Sequence, residues 1–373
     1  MSIIANHGNP ASPIWVIMET PYSTDVDKGY ILSGGLGYVF RKTWALSGLP
    51  DPYIYCMKPC IGATYDDAVK FSELVVKLCA SGTPFILPTS VNLFSLLCSS
   101  QVTKSQGKAL FKKYAGNLLI SSSLNYPHYI IPQYPPDFIG ANYDYHEIQA
   151  FIDLGHVREE YEYWRDHGAT LQPLPSRQLI TEPSYDDLLS FLYRIRFEYD
   201  RGNLPYVSAD IETIRPKKKT PLYNIGHPGI PYTISLAMSP FYAISFSLWD
   251  YSPAQLVVIW RELDWILTNV PTIGQNWSVF DAHFLEAMGF TVNLRTFQDC
   301  LIRHHILWPG LPHTLQFQTK QYTREPFYKD EGKQWTPKQK QQLMRYNALD
   351  TTVTYEVYLA QEAELTAKPY LKG

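Results

Sequence analysis

The sequence predicts an α/β protein of two domains, the first built on a parallel sheet and the second on a mixed one. Three observations carry this. The 373 residues exceed what one core holds comfortably, and 45% apolar with 18% charged residues is a globular composition. Through the first 166 residues, short apolar runs alternate with helix-period segments, the pattern of parallel strands joined by crossover helices. From residue 206, three strand-like runs follow one another before any helix, which suits antiparallel neighbours beside a parallel strand.

In chain order, residues 14–18 read as a buried strand, after which Glu19-Thr20-Pro21 and the glycine-rich Ser33-Gly34-Gly35-Leu36-Gly37 lead into a helix. A strand, a glycine turn and a helix suit close approach of a phosphate or of another backbone segment. Residues 53–55 and 84–88 are further strands, and Ala68, Phe71, Leu74, Val75 and Leu78 recur at helical spacing. A helix over 91–97, a strand over 129–132 and a helix over 145–166 complete the first domain, residues 1–166. Gln172-Pro173-Leu174-Pro175 interrupts any helix, so 167–205 reads as a linker and a leading helix over 186–199. The second domain, 206–373, takes strands at 206–212, 232–237, 242–246 and 271–274. Its helices are read at 254–267, from Asn276 through Asp281, at 300–307 and 314–322, and from Pro337 to about 364.

Bulk charge narrows the function classes. A net charge of −3 argues against affinity from a broad basic face, so any nucleic-acid contact is local or metal-mediated; Lys217-Lys218-Lys219 is the compact basic run. Five cysteines, an odd number without a Cys-x-x-Cys pair, suit free thiols in a reducing cytoplasm. With no signal-like leader and no apolar span of membrane length, no membrane partner is expected.

Asp210 and Glu212 lie two apart at the end of a strand pattern and so share one face. Paired like charges there resist desolvation and persist at a solvated turn or around a cation. Asp281 lies downstream, and Tyr346 and Asp350 are one helical turn apart. Four carboxylates from a strand and two helices can surround two divalent ions for in-line attack on phosphorus. Oxygen donors without a thiolate or histidine cage point to Mg²⁺, with Mn²⁺ as a substitute. The Tyr346 hydroxyl would orient the attacking water by a hydrogen bond.

These motifs, in this order, resemble the DnaQ-like 3′→5′ exonucleases of the DEDDy type, an RNase H-like fold with a mixed sheet. Asp210 and Glu212 match the first motif, Asn276 and Asp281 the second, Tyr346 and Asp350 the third. The resemblance implies that Asp210, Glu212 and Asp350 bind metal, that Asp281 supports the second ion through water, and that Thr213 and Asn276 lie near the terminal nucleotide. Trp308-Pro309-Gly310-Leu311-Pro312 and the tract from Tyr322 to Lys333 further resemble the proofreading domain of phage family A DNA polymerases. That implies single-stranded or frayed DNA 3′ ends as substrate and a polymerase as partner, supplied by another chain or by a segment beyond this one, in the host cytoplasm if phage-encoded. RNA trimming of the RNase D kind and a replisome adaptor are the competing readings.

Residues 10–165 resemble a uracil-DNA glycosylase domain of the class related to iron-sulfur glycosylases. Met18-Glu19-Thr20-Pro21-Tyr22 matches the first loop at Glu19 and Pro21, and residues 29–37 echo the following glycine segment. Tyr134-Pro135-Pro136 stands where that class has a His-Pro loop, and the four cluster cysteines are missing. The resemblance therefore implies a catalytically degenerate domain without an iron-sulfur cluster, retained as a scaffold or docking surface, with Glu19 and Tyr134 marking the inactive loops.

Overall fold

The computed structural model describes residues 3–25, 28–60, 63–98, 113–141, 143–214, 230–329 and 339–368. Lys217-Lys218-Lys219 and Pro337 lie outside the described residues. The chain divides into one unit of Met1–Leu174 with Arg324–Phe327 and a second of Pro175–Thr323 with Tyr328–Gly373.

The first unit carries a fully parallel sheet in the order β2-β1-β3-β4, from β1 (Ile14–Met18), β2 (Tyr53–Cys56), β3 (Phe85–Pro88) and β4 (Tyr129–Ile130). Strand residues are apolar on both faces because both faces are covered. Trp15, Ile17, Tyr55 and Ile86 pack with Leu74 and Leu78 of α2 (Asp67–Ser81) and with Leu93, Phe94 and Leu97 of α3 (Val91–Leu97). On the opposite face, Ile14, Val16, Met18, Ile54 and Phe85 pack with Phe40 and Trp44 of α1 (Gly35–Ser47) and with residues of a later long helix. That helix is α5 (Tyr143–Asp166), following the short α4 (Pro136–Ala141), and it contributes Leu154 and Val157. The glycine-rich turn serves an approach within the chain: a Cβ on Gly37 would lie 1.6 Å from the Leu32 carbonyl oxygen. Arg324 belongs to this unit through Glu160, reached at 2.9 Å, and the Gln172 carbonyl at 2.9 Å.

The second unit carries a six-stranded mixed sheet ordered β10-β9-β6-β7-β8-β5. Its centre is an antiparallel meander of β6 (Val207–Ile214), β7 (Ile230–Ser239) and β8 (Tyr242–Phe246), with β9 (Thr272–Gly274) parallel to β6. Two edge strands escape the sequence reading. Gln178–Thr181 (β5), inside the stretch read as a linker, pairs parallel to β8, and the two-residue Gln298–Asp299 (β10) pairs parallel to β9.

One face of this sheet is buried by α6 (Tyr185–Asp200) and α7 (Pro253–Asn269). Leu188, Phe191 and Ile195 of the former and Ile259, Leu263 and Ile266 of the latter pack against Val207, Ala209, Ile211, Ile234 and Leu236. Ser252 and Gln255 form a reciprocal capping box at the start of α7, ahead of Pro253 at its first position. After α8 (Asp281–Ala287), α9 (Cys300–Leu307) and α10 (Leu315–Tyr322) comes α11 (Lys340–Ala367), which crosses the other face over β6, β7 and β8. Among the described residues, no helix is long and apolar enough to cross a membrane.

Candidate active site

Alternation along β6 divides its side chains between two environments. Val207, Ala209 and Ile211 enter the apolar core, while Asp210 and Glu212 face the side crossed by α11. On α11, Tyr346 and Asp350 are one turn apart and both are buried. Carboxylate oxygens of Asp210, Glu212 and Asp350, one from each residue, all lie within 4.8 Å of one another. Three of the four predicted carboxylates thus converge from a strand and a helix remote in sequence.

Asp281, the fourth, opens α8 and is 3% exposed; its Oδ1 accepts the Ile211 backbone N–H at 3.0 Å. It is held to the strand between Asp210 and Glu212 without being one of the three converging groups. Burial pushes its carboxyl up to about 8, against the backbone hydrogen bonds from Ile211 and at its own helix start, with Glu212 and Asp299 adding to the rise. Asp210 is raised well above the usual carboxylate range, by burial first and then by the charges of Asp281, Asp350 and Glu212; Lys329 acts in the opposite sense. The Tyr346 phenol is also raised, by burial first and then by Asp350, Glu212 and Asp210. It is therefore a hydroxyl donor at neutral pH.

Three residues outside the predicted set complete the site. Asn347 Nδ2 donates to Asp210 Oδ2 at 2.6 Å, and its Oδ1 accepts from the Ser245 hydroxyl at 3.0 Å. Lys329 places its Nζ 2.6 Å from both carboxylate oxygens of Asp350 and 3.4 Å from the Tyr346 hydroxyl. Asp299, the N-cap of α9, accepts the backbone N–H groups of Asn276 at 3.0 Å and Trp277 at 2.8 Å. The signal for Asn347 is a polar side chain on a helix buried nearly all round, where such a group needs a partner.

The helix expected from Asn276 begins only at Asp281. Asn276 has φ +60, a left-handed conformation that asparagine tolerates, and Asp299 draws the loop away from helical geometry. Thr213 is half-buried, opposite Pro231, where the β6–β7 register shifts after Glu212. In the first unit, Glu19 follows β1 and receives Lys58 Nζ at 2.8 Å, Asn92 Nδ2 at 3.0 Å and Ser90 Oγ at 3.1 Å. Burial alone would raise the Glu19 carboxyl; the lysine and these donors bring it below its ordinary value. Tyr134 is buried and stacked on Phe138 with ring centroids 4.9 Å apart.

The converging carboxylates fit a hard divalent cation. They offer only oxygen donors, they lie close enough to repel one another as bare anions in a part-buried site, and desolvation drives Asp210 toward its protonated form.

No family model matches the chain, and no curated protein matches it. Among solved structures, the chain is similar to the Aedes aegypti Nibbler EXO domain at TM-score 0.41 and 15% identity, over 54% of this chain and 97% of that one. It is also similar to the POL domain of Pol1 from M. smegmatis in complex with DNA primer-template and dNTP, at TM-score 0.36 and 10% identity. That match covers 51% of this chain, which spans 28% of the other.

Proposed function

We propose that the chain is a metal-dependent 3′→5′ exodeoxyribonuclease of the DnaQ-like, DEDDy type, acting in proofreading with a family A DNA polymerase of the phage kind. The observation that carries the reading is the convergence of Asp210, Glu212 and Asp350 within 4.8 Å, beside a tyrosine one helical turn before Asp350. Asp210, Glu212 and Asp350 would hold one divalent cation, and Asp281 would support a second through water. Bound cations supply activation of water and charge neutralisation at the leaving oxygen.

The residues of the chain do the positioning. Asn347 and the Ile211 N–H fix the Asp210 and Asp281 carboxylates before any ion arrives. The Tyr346 hydroxyl orients the attacking water. Water oxygen would bond to the terminal phosphorus and give up a proton to solvent, the bond to the preceding 3′ oxygen would break, that oxygen would take a proton from solvent, and the terminal nucleotide would leave as a 5′-monophosphate. Thr213, on β6, and Asn276, in the second motif, would lie close to the terminal nucleotide. The first unit is read as a glycosylase-like scaffold without excision chemistry, and a uracil-containing oligonucleotide should yield no abasic product.

Matched 5′-labelled DNA and RNA single strands, incubated with Mg²⁺, test the reading. DNA should shorten stepwise from its 3′ end, faster than RNA. Faster loss of RNA transfers the site to RNA trimming, and loss of neither removes the nuclease reading.

A further inference from the structure

We infer that Lys329 is a built-in cation of the site: in the metal-free protein its ammonium occupies the Asp350 carboxylate, and it competes with a divalent ion for that ligand. The inference rests on the nuclease reading in taking Asp350 as an ion ligand. The contact is symmetric, 2.6 Å to each carboxylate oxygen, and both side chains are shielded, at 12% and 7% exposure. The ammonium is further confined by the rings of Tyr328 and Tyr346, with centroids 5.1 and 5.2 Å away. It sits within the acidic group, where it offsets charge that also bears on Asp210.

An ion coordinated by Asp350 needs at least one of the two oxygens that Lys329 holds. A divalent ion on either oxygen repels the ammonium held there, so the ammonium gives up that oxygen when the ion binds. Lys329 thus neutralises the Asp350 carboxylate between ion-bound states, at the expense of ion affinity.

Mn²⁺ titration of the full chain, followed by the electron paramagnetic resonance of free Mn²⁺, tests this alongside thermal unfolding in EDTA and in Mn²⁺. Lys329→Met and Lys329→Gln should each bind Mn²⁺ at least fivefold more tightly than wild type. Lys329→Arg, which keeps the charge, should bind no more tightly than wild type. Lys340→Met removes a lysine paired instead with Asp250 and should stay within twofold of wild type. In EDTA, Lys329→Met should melt below wild type, with the gap narrowing in Mn²⁺; a variant that folds only with Mn²⁺ supports the inference equally. Unchanged or weaker Mn²⁺ binding by Lys329→Met and Lys329→Gln, with wild type binding normally, overturns the role of Lys329 alone. Wild type that binds no Mn²⁺ overturns the metal-dependent reading and this inference with it.

Discussion

Asp210 is a part-buried carboxylate on β6, with the charges of Asp281, Asp350 and Glu212 bearing on it and the Asn347 amide donating to its Oδ2. Asn347→Leu leaves the part-buried Asp210 and the buried Ser245 hydroxyl without that partner, and such a loss costs about 1–3 kcal/mol. A lowered thermal midpoint, with residual activity restored in part by excess Mg²⁺, is the expected result; an unchanged midpoint would remove Asn347 from the account. Tyr346→Phe tests orientation apart from structure. The ring keeps its packing, so kcat should fall by roughly 10²-fold with little change in KM or Mn²⁺ affinity, the scale of one positioned proton-handling group. The pairings of Asp210 with Glu212, two along a strand, and of Tyr346 with Asp350, four along a helix, were legible as spacings. That the strand and the helix meet was an expectation from the order of the motifs and their resemblance, and the structure brings Asp210, Glu212 and Asp350 together. Lys329 was not legible, since its loop has no periodicity and its partner Asp350 is 21 residues away. Nor was Asp299, whose role depends on β10 lying beside β9.

Among the elements, β6 and α11 make the site, and the turn after β9 places the motif that contains Asp281. Gly274 ends β9 where a Cβ would meet Trp277 Cβ at 2.7 Å and its ring at 2.9 Å, so a methyl group cannot be added without moving the loop. Gly274→Ala should destabilise the protein by about 1–3 kcal/mol, the usual range for overpacking, and should shift the Asn276–Asp281 loop. Thermal melting with an unchanged midpoint would contradict this. The central strands and the long helices were legible because burial on one or both faces leaves a strong pattern. The β5 and β10 edges were hidden for opposite reasons. Gln178–Thr181 is only partly buried and sits after a proline-rich stretch, whereas Gln298–Asp299 is too short to show alternation. The helix expected from Asn276 starts five residues later because Asn276 is left-handed, φ +60, with its N–H and that of Trp277 held by Asp299, distant in sequence.

For the whole molecule, each unit buries its own apolar core, and the sequence shows this in its change from strand–helix alternation to a meander. What the pattern hides is the return of Arg324–Phe327 to the first unit, which rests on partners such as Glu160, more than 160 residues earlier. Stability against pH follows from the buried acids. In the fold Asp281 keeps its proton to about pH 8, whereas an ordinary aspartate loses it near 3.8. Its folded pKa is raised, so the stability it contributes is complete below about pH 4 and is lost as pH climbs to 8. The slope is at most about 1.4 kcal/mol per pH unit. Asp210 acts in the same direction. In EDTA the melting midpoint should therefore fall from pH 5 to 8, less steeply in Asp281→Asn, and a flat wild-type profile would contradict the burial of these acids. Nucleoside monophosphate release from single-stranded DNA at saturating Mg²⁺ shows whether the converging carboxylates do the chemistry. Wild type should release it from the 3′ end, and the folded Asp210→Ala, Glu212→Ala double variant should be slower by at least about 10³-fold, the scale of lost metal-assisted catalysis. Equal rates for the two proteins would contradict the account.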